Sequence, residues 1–337
     1  MRSLLLALLL AMSFGTTLSP GPARADDFGA GFQDMQLTDP VEGGPMPAVV
    51  FYPTREEGGA TQLGPFSIAA ARRAAPAPGP FPLIVHSHGT GGTHLGHHDS
   101  LTALARAGFV AAAVQHPRDN FLDMSGFATD LQLVGRPHHI VALIDGVLRD
   151  PAFGPLVDAR RIGMAGFSAG GYTALLIAGA VPDFSLRDAY RKAVPNDPLR
   201  RRADAAAARQ RRKPDLKFVA DPRVKAIFLM APALGYLFNG AGLSRVSVPV
   251  RIYRPTADEI LAHPWNAERI AQMLPKPPEY ETIKGAGHYV FLAPCPPILA
   301  ARLGEYCKDP PGIDRAALHA RINADMVDFF RRSLASP

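Results

Sequence analysis

The chain has 337 residues, 47% of them hydrophobic and 20% charged. That balance excludes a disordered or collagen-like chain and suits one large globular domain, or at most two. The formal charge is +6, and setting aside Arg2 and Arg24 leaves 34 basic against 30 acidic residues, a net of +4. So small a surplus gives no ground for a nucleic-acid partner.

Residues Leu4 to Met12 form an apolar stretch behind Arg2, followed by Ser19-Pro20-Gly21-Pro22 and then Ala23-Arg24-Ala25. Nine apolar residues are too few to span a bilayer, which needs about 20. Charged start, short apolar middle and small-x-small end predict a secretory signal over residues 1–25, cut after Ala25. The mature protein is then secreted or periplasmic, without stable membrane insertion. In an oxidising compartment Cys295 and Cys307, with eleven residues between them, are expected to form a disulfide. A metal site would need two further ligands.

From Asp26 to Glu57 the chain is rich in Gly and Pro, with Ala48 to Tyr52 as an expected edge strand. Ala69 to Pro80 reads as a connector. Apolar runs at Phe81–His88, Phe109–Gln115, Arg161–Phe167, Val224–Met230 and Val248–Tyr253 predict buried strands, and Glu279–Ile283 a weaker sixth. Between them, Ser100–Ala107, Pro137–Arg149 and Ala169–Ala180 read as helices. Pro137 suits a first helical position, and Ile140, Val141, Ile144, Val147 and Leu148 share one face. A last amphipathic helix is expected from about Asp314 to Leu334, where Leu318, Ile322, Met326 and Phe330 recur every four residues. Continuous apolar strands alternating with helices predict a mostly parallel sheet with helices on both faces.

One interval breaks this rhythm. Residues 181–222 are an Arg- and Ala-rich insertion between a helix and the next strand, with Arg187, Arg191, Arg200, Arg201, Arg202, Arg209, Arg211 and Arg212. A solvated helical face is its default reading. A lid over the site, or a surface drawn to anionic envelope components, are the alternatives.

The strongest signal is Gly166-Phe167-Ser168-Ala169-Gly170-Gly171, which ends a strand and opens a helix, the context that G-x-S-x-G requires. Ser168 is the expected nucleophile. A serine hydroxyl needs a base to take its proton, and Gly285-Ala286-Gly287-His288 supplies it at His288. His319, inside the terminal helix, is the competitor. The base needs a carboxylate to hold its tautomer. After the strand ending near Tyr253 the chain offers Asp258, with Glu259 the neighbour able to replace it. Oxyanion donors are expected from the backbone N–H groups of Ala169 and, in His88-Gly89-Thr90-Gly91-Gly92, of Thr90. His86, His88, His94, His97, His98 and Asp99 invite a metal reading, but they lack a clear ligand register. No metal and no cofactor are expected.

The order Ser, Asp, His is that of the α/β-hydrolases, and the chain resembles that superfamily. More narrowly, it resembles exported dienelactone-hydrolase-like proteins related to platelet-activating-factor acetylhydrolases. The likeness rests on LIVHSHGTGG at 83–92, FVAAAVQHPRDN at 109–120, MAGFSAGGYTAL at 164–175 and GAGHYVFLAPC at 285–295. It implies an α/β-hydrolase fold and a serine esterase acting on a small-molecule or lipid-like ester. Dienelactone hydrolases proper carry a cysteine where this chain has Ser168. The acetylhydrolases place their acid after the preceding strand, where this chain reads Ala231-Pro232-Ala233. An acyltransferase or peptidase on the same triad, and a catalytically silent envelope-binding protein, are the competing functions.

Overall fold

The computed structural model of the chain describes residues 28–209, 213 and 215–335, and the expected secretory signal lies outside them. Among the described residues nine strands form the main sheet: β1 (Gly29–Thr38), β2 (Pro45–Thr54), β5 (Ala71–Arg72), β6 (Phe81–Ser87), β7 (Val110–Val114), β8 (Val157–Phe167), β9 (Val224–Met230), β10 (Val250–Pro255) and β11 (Glu279–Ile283). β3 (Thr61–Leu63) and β4 (Phe66–Ile68) make a separate hairpin. The order across the sheet is β11-β10-β9-β8-β6-β7-β2-β1-β5. Every pairing from β11 to β7 is parallel, while β2 is antiparallel to both β7 and β1.

Ten α-helices are described: α1 (His98–Arg106), α2 (Arg136–Arg149), α3 (Ala169–Ile177), α4 (Arg187–Ala193), α5 (Arg200–Arg209), α6 (Gly240–Leu243), α7 (Ala267–Met273), α8 (Pro297–Arg302), α9 (Gly304–Cys307) and α10 (Arg315–Ser333). None is long and apolar enough to cross a membrane.

Successive residues of the central strands feed opposite cores, as a period of two requires. Leu83 and Val85 of β6 pack with Ile140, Leu143 and Ile144 of α2 and with Leu175 of α3. Ile84 joins Leu101 of α1 and Met326, Phe329 and Phe330 of α10 on the other face. Because both faces are covered, the strands need no polar alternation, which is why they read as plain apolar runs.

Three expectations need correction. Ala48–Tyr52 is not an edge: it lies in β2, between β1 and β7. The missed neighbour β1 carries Gly29, Gly31, Gln33, Asp34 and Gln36 and so shows no apolar run. A Cβ at Gly31 would stand 2.5 Å from the Tyr52 ring, so glycine there lets the ring lie across β1. The connector after Ala69 contributes the short β5. In α2, Leu143 is fully buried, while Val141 and Leu148 pack only at the margin. That helix is also preceded by a π-helical turn, Leu131–Gly135, which Pro137 alone does not signal.

α10 sits directly on β8, where a Cβ at Gly163 would come within 2.6 Å of the Phe330 ring. Phe330 also packs against Phe228 and Phe329. We expect Phe330→Ala to cost about 3–5 kcal/mol, the range for an emptied aromatic core position. Urea unfolding followed by circular dichroism would check it, and a loss under about 1 kcal/mol would place the ring outside the cooperative core.

Candidate active site

Ser168 stands between β8 and α3 with φ 52° and ψ −116°, a backbone that L side chains rarely adopt. The turn exists because its neighbours lack side chains. A Cβ at Gly166 would lie 2.2 Å from the Gly170 carbonyl oxygen, and one at Gly170 would lie 1.9 Å from that of Ser87. The Ser168 N–H is held by the Met230 carbonyl at 2.9 Å, and its carbonyl accepts from Ala233 N at 3.0 Å. The hydroxyl is thereby fixed at the carboxyl end of the sheet, at the start of α3.

His288 opens a short turn after β11. Its Nε2 is 3.1 Å from Ser168 Oγ and its Nδ1 is 2.9 Å from Asp258 Oδ2. Asp258 Oδ1 accepts from the N–H groups of Ile260 and Leu261 at 2.9 and 2.7 Å, which orients the carboxylate. Glu259 faces away from the imidazole, and its Oε2 accepts the backbone N–H of His288 at 2.9 Å. The two adjacent acids therefore grip one residue at two points. Thr256 Oγ1 accepts from Gly285 N at 2.8 Å, and Ala257 N donates to the Ala286 carbonyl at 2.9 Å, zipping the acid loop to the histidine loop.

His319 does not approach Ser168. Its Nδ1 binds Asp99 Oδ2 at 2.6 Å and its Nε2 binds the Val290 carbonyl at 2.8 Å. It ties α1 and α10 to the turn that carries His288.

The glycine-rich loop after β6 lies against Ser168, since a Cβ at Gly89 would stand 3.3 Å from the Ser168 Cβ. Among the described residues neither the Thr90 nor the Ala169 N–H has an acceptor. Beneath this loop lies a polar network that sequence reading did not find. Arg136, wholly buried, donates to Asp119 Oδ2 at 3.0 Å, to Ser87 Oγ at 3.2 Å and to the His88 carbonyl. Ser87 Oγ lies 2.9 Å from His116 Nε2, His116 Nδ1 lies 3.1 Å from His139 Nδ1, and His139 Nε2 lies 3.1 Å from Asp39 Oδ1.

This chain has a direction. Arginine can only donate and an ionised carboxylate can only accept. Each neutral imidazole between them therefore accepts on one nitrogen and donates from the other, with protons pointing from Arg136 towards Asp39. His88 is fixed likewise, because Nε2 accepts His116 N–H at 3.1 Å, leaving Nδ1–H for the Gly89 carbonyl at 2.7 Å. The remaining histidines of the string have separate places. The His86 and His97 rings lie 4.2 Å apart, and His94 Nδ1 is 3.1 Å from Gln115 Oε1. No three His, Cys, Asp or Glu groups among the described residues are arranged to hold a metal ion.

Ser168 and His288 open into a cavity of about 920 Å³. Phe66, Phe121, Leu122, Met124, Leu261 and Leu292 give it an apolar wall. Part of the insertion 181–222 faces the site: Tyr190, Leu199 and Arg202, from α4, α5 and the chain between them, line the same cavity, while Asp188, Lys192 and Arg201 are exposed. Its arginines are partly spent within it, since Arg191 and Arg200 both face Asp204. Arg211 and Arg212 lie outside the described residues. Cys295 and Cys307 are bonded, with Cα atoms 5.6 Å apart. Tyr306, beside Cys307, packs its ring 4.6 Å from that of Tyr289, the neighbour of His288.

No family model matches this chain, and no curated protein matches it. Among solved structures, a ferulic acid esterase from Streptomyces cinnamoneus superposes with a TM-score of 0.62 at 19% identity, over 94% of this chain and 95% of that one. This is an α/β-hydrolase fold. A likeness at 19% identity shows the fold alone, and function has to be argued from the site.

Burial holds the imidazoles of His86, His88, His97, His116 and His139 below their ordinary range, His86 down to about 3. A depressed folded pKa means that the unfolded chain binds protons first as pH falls below about 6.5. Stability supplied by the neutral rings is thus full above that pH and lost below it, by up to ~1.4 kcal/mol per pH unit for each ring. Melting temperatures measured by circular dichroism should therefore fall steeply between pH 6.5 and 5. A flat profile down to pH 4, where carboxylates begin to protonate, would contradict the neutral assignments.

Proposed function

We propose that this protein is an exported serine hydrolase that cleaves carboxylic esters through an acyl-serine intermediate. The observation that carries the reading is the unbroken line Asp258–His288–Ser168, whose His288 and Ser168 lie in the wall of a large cavity. His288 Nε2 takes the Ser168 proton as Oγ attacks the ester carbonyl, and the Asp258 carboxylate holds the imidazolium. The tetrahedral oxyanion is received by the N–H groups of Ala169 and Thr90, at the start of α3, whose dipole favours negative charge. His288 then gives its proton to the departing alkoxide. Water, activated by the same imidazole, releases the acid and restores the serine.

The esterase neighbour supports ester cleavage over peptidase or acyl-transfer chemistry. A cavity of about 920 Å³ with an apolar wall exceeds what a small acyl group fills, and it supports a bulky or lipid-like ester. We read the insertion 181–222 as a cover that shapes entry to it. The disulfide suits an oxidising compartment and so favours export, with residues 1–25 as the signal.

Fluorophosphonate labelling of the mature protein, together with p-nitrophenyl ester hydrolysis, tests the assignment. Ser168→Ala should abolish labelling and lower turnover by at least about a thousandfold with an unchanged circular dichroism spectrum. Retention of most activity would refute it.

The two adjacent acids separate cleanly. Asp258→Asn should reduce kcat by several orders of magnitude, because the amide favours the wrong tautomer of His288. Glu259→Gln keeps an oxygen to accept the His288 N–H and should change kcat by less than about threefold. The reverse result would make Glu259 the orienting acid.

A further inference from the structure

We infer that Gln132, braced by the buried Arg136–Asp119 pair, is the positioning residue that sets the second oxyanion donor. The inference rests on Ser168 being the nucleophile and Thr90 N–H being that donor.

The loop His88–Gly92 has no regular structure of its own, so its peptide groups need external anchors to stay aimed. The His88 carbonyl is held by Arg136 Nη2, and Gly91 N donates to Asp119 Oδ1 at 3.2 Å. Between those anchors is Thr90, and it is held through its side chain: Gln132 Nε2 donates to Thr90 Oγ1 at 2.8 Å. The other hydrogen of the same nitrogen goes to Asp119 Oδ2, also at 2.8 Å. Gln132 Oε1 accepts from Ala128 N at 2.9 Å, which rules out the flipped amide. Both hydrogens of the Gln132 amide and its oxygen therefore have assigned partners, and a single orientation satisfies all three.

Two features make this a rigid brace. Asp119 and Arg136 have side chains only 1% exposed, where an ion pair is screened little and losing either member strands a charge. Gln132 lies in the π-helical turn Leu131–Gly135 immediately before α2, four residues ahead of Arg136. Residues four apart share a helix face, so both side chains reach the loop together. π-helical turns recur at functional sites, and here the turn carries the residue that holds Thr90. A donor must meet the developing oxyanion at 2.7–3.1 Å. A Thr90 released from Gln132 can drift beyond that range without the fold changing.

A double-mutant cycle read by p-nitrophenyl butyrate kinetics tests the idea. Gln132→Met keeps the volume and removes both donors; Thr90→Val keeps the shape and removes the acceptor, leaving Asp119 and Arg136 untouched. Each should lower kcat by about 10- to 100-fold with KM within about twofold. The double variant should be no worse than the poorer single. Inhibition by a trifluoromethyl ketone, which mimics the tetrahedral oxyanion, should weaken by the same factor as kcat/KM. Losses that multiply, a loss confined to KM, or an undiminished kcat in Thr90→Val would overturn the inference. Should Gln132→Met fail to fold, Thr90→Val with the ketone decides alone. Loss of the nucleophile assignment would appear separately, as an active Ser168→Ala.

Discussion

A positive charge placed where water cannot reach it governs the layout around the candidate site. The Arg136 side chain is buried, and its guanidinium cannot shed its proton at any ordinary pH. It has to be met by fixed acceptors. Those acceptors come from the ends of two adjacent central strands: Ser87 ends β6 and His88 follows it, and Asp119 lies in the loop after β7. Meeting the two Nη groups of one guanidinium thus ties the start of α2 to both loops, at the carboxyl end of the sheet where open α/β folds bind their ligands. The charge also dictates the state of its surroundings. His88 and His116 lie close enough for Arg136 to help hold them neutral, and neutrality is what lets the hydrogen bonds run in one direction to Asp39.

Much of the molecule was legible in sequence wherever the constraint is local. Ser168 announces itself because a left-handed turn between a strand and a helix tolerates almost nothing except glycine around it. His288 follows a run of small residues, and Asp258 stands where a strand ends, so chain order alone narrowed both. The buried network had no such signal. Asp119, Gln132 and Arg136 come from two separate stretches of chain, and an arginine near a helix start reads as surface by default. The string His116-Pro117-Arg118-Asp119-Asn120 stood out only through family likeness, with no role attached to Asp119. β1 escaped notice for the opposite reason, since its glycines and polar residues hide a strand that owes its place to pairing with β2.

The two acids after β10 show how adjacency can be misread. Seen as a sequence, Asp258 and Glu259 compete for one job. Folded, they take different parts of the same residue, the ring and the amide of His288, because consecutive side chains leave a loop in different directions. The arginine-rich insertion gave a similar lesson. Counting its charges suggests a basic face, yet Arg191 and Arg200 meet Asp204, and Arg202 lies over the ring of Phe127. Its contribution to the cavity is shape as much as charge.

The oriented run from Arg136 through Ser87, His116 and His139 to Asp39 also bears on how such a sequence can change over time. Each member between the two ends accepts from one neighbour and donates to the next, so replacing any one of these strands a buried group on either side, at about 1–3 kcal/mol for each. Two such losses approach a sizeable share of the 5–15 kcal/mol that separates a folded domain from its unfolded chain. Piecemeal drift inside the run is therefore penalised at every step, and viable departures arrive as coordinated pairs. The cavity wall carries no such bond between its members, because one apolar side chain can stand in for another of similar volume. The wall can therefore tolerate single apolar replacements, whereas the run beneath it resists them.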